Sequence, residues 1–379
     1  MNSNLRVRKS LLIVFFLHEI FIIINSFFFN LKGADVDATR FQEKALIVLK
    51  NNDFSFQVDA EFYIQFLAVI FKIFGNSEFI ASQFTIAAFF LFLFYVEKIS
   101  YEVFYYRIKN WQIFLISLYP TVIPKVTTTM REAFMMMSIA AICFFIVKFK
   151  TTFKQKYFFG FFIFLFFGFL FHKAFAVMAL FVLPFFLFYG NPILNPFKSK
   201  FHIIRSLMIL ILSGIILSNI NNLLNVDGLK PLISAVSQDT EYMERIIEAK
   251  SSTDARATYQ SPLSFSSPFE FIISLIPTIT YYFFKPFFWE ITSLVDFVAF
   301  VESSIRFFSV LIIIIYYRRI VKYHPSIKYL IPIILTISII WAAGTTNYGT
   351  GSRHHLTTNW FFILIIGMYF YSKNFVIKK

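Results

Sequence analysis

The sequence has little of what covers a soluble surface. Only 15% of its 379 residues are charged, against 58% hydrophobic, and the mean hydropathy is +0.68. A soluble globule of this size, with about 25% charged residues on average, needs more polar side chains than this to cover itself, so a soluble enzyme is excluded. Cysteine is reduced to Cys143, inside an apolar block. That excludes a disulfide framework and leaves a cysteine-based metal site without ligands. Glycine-rich nucleotide motifs of the Walker and dinucleotide type are missing, which argues against an ATP-driven pump. GxSxG is missing too, since Gly351–Ser352–Arg353 lacks the second glycine. HExxH is absent, and the adjacent His354 and His355 point apart on a helix, so a metalloprotease is rejected and neither a metal nor another cofactor is expected.

What the chain does have is apolar blocks approaching the length of a bilayer-crossing helix, about 20 residues. Letting each block cross once gives ten crossings, near residues 11–29, 79–96, 111–123, 133–147, 157–171, 174–190, 206–219, 304–317, 329–343 and 358–371. The expected fold class is all-α, a polytopic transmembrane helical bundle forming one membrane domain over residues 1–379. Residues 61–75 are short and carry Glu61 and Lys72, which fits an interfacial helix. Residues 268–300 hold three prolines and are expected to be re-entrant or broken. Two long hydrophilic loops, 30–60 and 219–267, remain.

Charge orients this ladder. With the N-terminus in the cytoplasm, the six cytoplasmic segments hold more than half of the Lys and Arg but only two acids, Glu97 and Glu102. The run Lys148, Lys150, Lys154, Lys156 is the clearest case of the positive-inside rule. The basic balance is therefore a topology signal, and with no basic patch or motif it gives no support to nucleic-acid binding. Attraction to anionic membrane lipid is the plainer reading. Both termini are expected inside, and the first basic-then-apolar stretch, which contains His18 and Glu19, is expected to stay as a helix instead of being cleaved as a signal.

On this topology the unusual polar residues gather on the outer side. Loop one carries Asp35 and Asp37. The connection PTVIPKVTTTMREA carries Lys125, Arg131 and Glu132, and His172 and Lys173 end the fifth helix. The large loop adds Arg245, Arg256 and Tyr259; the broken stretch adds Lys285 and Trp289; and Arg353, His354 and His355 stand at the lip of the last outer loop. Ionisable residues at membrane depth are costly and line cavities or pathways, so their convergence points to an outward-facing site. Each also has a structural reading. The lysines can snorkel, acids are ordinary in a loop, Glu132 suits the positive end of a helix, His172 can be a packing residue, and outer aromatics form interfacial belts.

Arginine's fork of donors matches phosphate oxygens, and in a low-dielectric cavity it can hold the diphosphate of a lipid-linked substrate as the leaving group. An acid or a neutral His can take the proton of an acceptor hydroxyl, and Trp289 and the outer tyrosines can stack on sugar faces. This favours sugar transfer from a polyprenyl carrier. A transporter would also gather charges in a cavity, but no internal repeat or paired Gly/Pro-interrupted helices appear. A non-catalytic scaffold has no evident use for the cluster.

The stretch GADVDATRFQEKALIV followed by EFYIQFLAVIFKIFGNSEFIASQFTIAAFF resembles the first outer loop and following helices of bacterial polysaccharide polymerases, within the wider C-type integral-membrane glycosyltransferases. PTVIPKVTTTMREAFMM is similar to their Arg-containing helix start, FHKAFAVMALF to the His-bearing helix of exopolysaccharide polymerases, and KPFFWEITSL with GTGSRHHLTTNWFFIL to late segments. The resemblance covers most of the chain in order, through loose motifs, and the acidic pair is Asp-Val-Asp where the family has adjacent acids. It implies a polymerase, of the type acting on O-antigen, capsule or exopolysaccharide, that moves a growing glycan from undecaprenyl diphosphate to the next lipid-linked repeat unit. Its partners would be polyprenyl-diphosphate-linked glycans, membrane lipid, and the flippase and chain-length regulator of the same pathway. The resemblance carries over Arg131, His172 and Arg353, and with them Asp35 and Asp37, as site residues.

Overall fold

In the computed structural model, the described residues are 9–29, 35–179, 182, 268–343, 345 and 348–376. Among them every element is helical. The elements are α1 Lys9–Phe27, α2 Asp35–Asn51, α3 Ala60–Phe74, α4 Glu78–Phe104, α5 Asn110–Ser117, α6 Val122–Val126, α7 Glu132–Thr152, α8 Gln155–Phe171, α9 Pro268–Phe284, a 3-10 turn Phe288–Glu290, α10 Leu294–Tyr323, α11 Ile327–Ala343 and α12 Tyr348–Val376. Four of these, α1, α4, α7 and α10, are long and apolar enough to cross a membrane.

The chain divides into two compact units. The first takes in Met1–His172, Phe283–Ile331 and Ser352–Lys379. At its centre lies α7, packed against α4 and α8. The face of α7 from Ala133 through Val147 is enclosed almost throughout. Large rings fill the seams, with Phe134 stacked on Phe171 at 4.6 Å and Phe145 on Phe164 at 5.6 Å. The second unit, Lys173–Tyr282 with Pro332–Gly351, holds most of α9 and α11. Each of those helices contains a proline, Pro277 and Pro332 respectively, and Thr278 and Thr345 return their hydroxyls to backbone carbonyls one turn back.

Within the first unit the helices run between two ends. Glu102, late in α4, meets Lys148, late in α7, at 2.9 Å. At the opposite end Gln42 reaches both Glu78, where α4 starts, and Thr129, just ahead of α7. Thus α4 and α7 are parallel neighbours, and residues 105–131 must travel back from the Lys148 end to the Arg131 end.

That return corrects one expectation and explains it. Residues 111–123 do not form a continuous crossing helix. They make α5, of eight residues, a break, and then α6, of five. An eight-residue helix spans only about 12 Å. The break falls at Leu118–Thr121, where Pro120 disfavours helical geometry in the residue before it and lacks an N–H for the ladder. Beyond Pro124 the threonines take over: Thr127 and Thr128 donate to the carbonyls of Ile123 and Pro124 at 2.8 and 2.6 Å.

The hydrophilic stretch expected as loop 30–60 is also largely helical. It contains α2, which buries Ala38, Phe41 and Ala45 against α3. The stretch 268–300 is broken as expected, at residues 285–287 between α9 and the 3-10 turn. Its second half, however, is already part of α10, which starts ten residues before the expected crossing at 304. Residues 206–219, the loop 219–267 and most of 174–190 lie outside the described residues.

Candidate functional site

The Arg131 end is built around the start of α7. Arg131 is the N-cap residue and Glu132 the first helical residue, so the acid lies where the helix dipole favours negative charge. Arg131 binds the Asp59 carboxylate and donates to the Phe171 carbonyl at 2.9 Å. The Asp59 backbone N–H donates to the Leu170 carbonyl at 2.8 Å. Two carbonyls that the last turn of α8 leaves without helical partners are therefore satisfied from outside that helix, which fixes where its C-cap residue, His172, emerges. Asp59 adopts φ 75°, an uncommon value for a residue with a Cβ, and both its backbone and its carboxylate are held there.

Arg353, in the first turns of α12, lies between two carboxylates. Its Nε and Nη2 both meet Glu132 Oε1 at 2.7 Å, and its Nη1 meets Asp37 Oδ2 at 2.6 Å. The two carboxylates differ in setting: the Glu132 side chain is 1% exposed, that of Asp37 39%, with Arg353 at 23% between them. Lys125, buried on α6, is close enough to Glu132 for their charges to attract. Among the described residues no hydrogen bond reaches the enclosed Oε2 of Glu132 or Nε of Arg131.

The histidines separate. The His354 ring stands edge-on to His172 with centroids 6.4 Å apart, whereas the buried His355 ring lies 6.4 Å from Phe283. Adjacent helix residues diverge by about 100°, which sends the two rings to different neighbours. His354 precedes the apolar run 358–371. Burial, then the His172 ring and the Arg353 charge, hold its pKa well below the usual imidazole range, so it is neutral at pH 7.

The structure thus brings together Asp37, Lys125, Arg131, Glu132, His172, Arg353 and His354, with Asp59 and Gln42 added to those the sequence singled out. His355 faces elsewhere. Trp289 is 67% exposed, and its ring neighbours are Phe287 at 4.8 Å and Phe288 at 4.7 Å. Lys173 belongs to the second unit. Arg245, Arg256 and the side chain of Asp35 lie outside the described residues. No group of His, Cys, Asp and Glu suited to a metal is found among the described residues.

A second polar cluster went unnoticed in the sequence. On α10, Glu302 accepts from Thr121 Oγ1 at 2.9 Å, and Arg306, one turn on, donates to the Phe283 carbonyl at 2.9 Å and to Asn359 Oδ1 at 3.3 Å. Both charged residues are 3% exposed. The signal available was a pair of opposite charges four residues apart at the head of an apolar run.

Compared with family models, curated proteins and solved structures, the chain has no match.

Proposed function

We propose that this chain is a membrane glycosyltransferase of bacterial surface-polysaccharide assembly, polymerising undecaprenyl-diphosphate-linked repeat units on the outer face of the inner membrane. The observation that carries this reading is the joint placement of Arg353, two carboxylates and two imidazoles, His172 and the neutral His354, at one end of long apolar helices. The opposite end of the same helices bears Lys148, Lys150, Lys154 and Lys156. By the positive-inside rule that end is cytoplasmic, which puts the Arg353 end outside and, with ten crossings, both termini inside.

The chemistry follows from the residue types. The acceptor sugar's hydroxyl oxygen attacks the anomeric carbon of the donor glycan. The bond from that carbon to the diphosphate oxygen breaks, and its electron pair leaves with the diphosphate. Arg353 stabilises this leaving anion through its forked donors. The hydroxyl proton passes to a neutral imidazole or a carboxylate of the cluster. Arg131 orients the site: it holds the end of α8, and with it His172, while Asp59 holds Arg131.

The test is the set of lipid-linked sugars that accumulates in cells lacking this chain. Single complete repeat units without long chains are expected. Truncated units would instead make it a transferase of single sugars from polyprenyl phosphate, and accumulation of neither kind would turn the reading to transport of lipid-linked sugars.

A further inference from the structure

We infer that Asp37 is the exchangeable ligand of Arg353: its carboxylate occupies the N–H that the phosphate of an anionic substrate takes, and binding of that phosphate displaces it. The inference rests on the reading of Arg353 as the anion-binding group of the site.

The two carboxylates on the guanidinium are not equivalent. Glu132 is enclosed, starts α7 in the middle of the first unit, and meets two nitrogens of the fork. Separating it would leave a charge in a nearly dry setting, which is strongly unfavourable. Asp37 meets one nitrogen, from the solvent side, with 39% of its side chain exposed. A half-exposed pair of this kind is held more weakly than the enclosed one, because water can replace the partner on its open side. Arg353 is therefore anchored on one side and open to exchange on the other.

Release does not require α2 to leave. The helix is held by buried Ala38, Phe41 and Ala45, by the edge-on contact of Phe41 with Tyr63 at 5.2 Å, and by Gln42 bound to Thr129 at 2.8 Å. Asp37 stands one residue before the first of these anchors, so rotation about its own side-chain bond is enough. A tetrahedral phosphate oxygen then takes Nη1, and the freed carboxylate stands beside the bound anion, where it accepts the hydrogen of an acceptor hydroxyl.

The sign of the effect is what makes the inference testable. If Asp37 is needed to hold Arg353 in place, neutralising it weakens the binding of an anion; if its carboxylate competes for Nη1, neutralising it strengthens that binding. The experiment titrates inorganic diphosphate into the purified full-length chain in neutral detergent and follows heat or the shift in melting temperature. Asp37→Asn should bind diphosphate roughly two- to fivefold tighter, the range of a weak, half-exposed ion pair. Asp37→Ser serves equally if the Asn variant folds poorly. Asp53→Asn, which removes an acid near the other end of α2, should leave the affinity unchanged. Arg353→Lys, which keeps the charge but loses the fork, should bind at least tenfold more weakly. Unchanged or weaker binding by both Asp37 variants overturns the inference, as does an equal gain in Asp53→Asn. Repeating the titration with phosphatidylglycerol in the micelle separates the anion's source. Competition by the lipid, with the Asp37→Asn gain retained, would keep the exchange but make the ligand a membrane headgroup, and the glycosyltransferase reading would then fail independently.

Discussion

Arg353 and Arg306 both project from helices lined with apolar residues, Arg353 from α12 itself and Arg306 from α10 toward α12, yet they sit in opposite surroundings. Arg306 is sealed at 3% exposure and binds a backbone carbonyl and an amide oxygen, with Glu302 one turn away on the same helix. Arg353 is partly open and binds two carboxylates contributed by α2 and α7. Arg306 joins α10 to the end of α9 and to α12, and it has no side from which a ligand could replace a partner. Arg353 has one fixed partner and one replaceable one. The contrast teaches that a guanidinium in an apolar bundle is a joint or a binding site according to whether one of its partners can be exchanged with solvent, and residue type alone does not separate the two.

The contrast can be broken by substitution at each arginine. The largest effect is expected at Arg353. Arg353→Ala leaves Glu132 enclosed without its partner, which costs about 3–5 kcal/mol, read as a lower midpoint of unfolding in detergent. Adding Glu132→Gln should return much of that stability. Polymer should stay absent in the double variant, and Arg353→Lys should lose most polymer at a normal membrane level. Full polymer from Arg353→Lys would make Arg353 a joint like Arg306.

Arg306→Met should show the reverse. Losing the bonds to Phe283 and Asn359 leaves buried acceptors unpaired, at about 1–3 kcal/mol. The amount of folded protein should fall while polymer made per folded molecule stays near wild type. A loss of polymer out of proportion to folded protein would move the Glu302–Arg306 cluster into the working site.

A last effect, no larger than that at Arg306, sharpens the comparison at the other end of α12. Gly367 has no side chain where the Gln112 amide and Tyr106 hydroxyl pass to reach the carbonyls of Ile363 and Leu364, at 3.1 Å each. A Cβ there would collide with the Gln112 amide. Gly367→Ala should cost about 1–3 kcal/mol through forced repacking, with diphosphate binding at Arg353 unaffected.

Some of this was legible beforehand. Arg131, Glu132, His172 and Arg353 drew notice because a charge or imidazole beside an apolar run is costly wherever the chain folds. Asp59 and Gln42 did not, because a polar residue in a hydrophilic stretch raises no such question, and only the fold brings Asp59 to Arg131. The helix α2 was hidden for the same reason. Its buried Ala38, Phe41 and Ala45 keep helical spacing, but the surrounding charge made the stretch read as loop. In the third expected crossing the error ran the other way. Apolar content suggested a continuous helix, while Pro120 had already broken it into α5 and α6.

By itself the sequence determined that this is an apolar, helical chain with runs approaching the length of a bilayer-crossing helix and a small set of expensive polar residues. Transfer of side chains out of water is a sum over residues, so composition and run length are enough to read it. Only the tertiary structure decided which carboxylate meets which guanidinium. The partners of Arg131 and Arg353 lie 72, 221 and 316 positions away along the chain, and whether a pair is sealed or exchangeable depends on what the packed helices leave open to water around it.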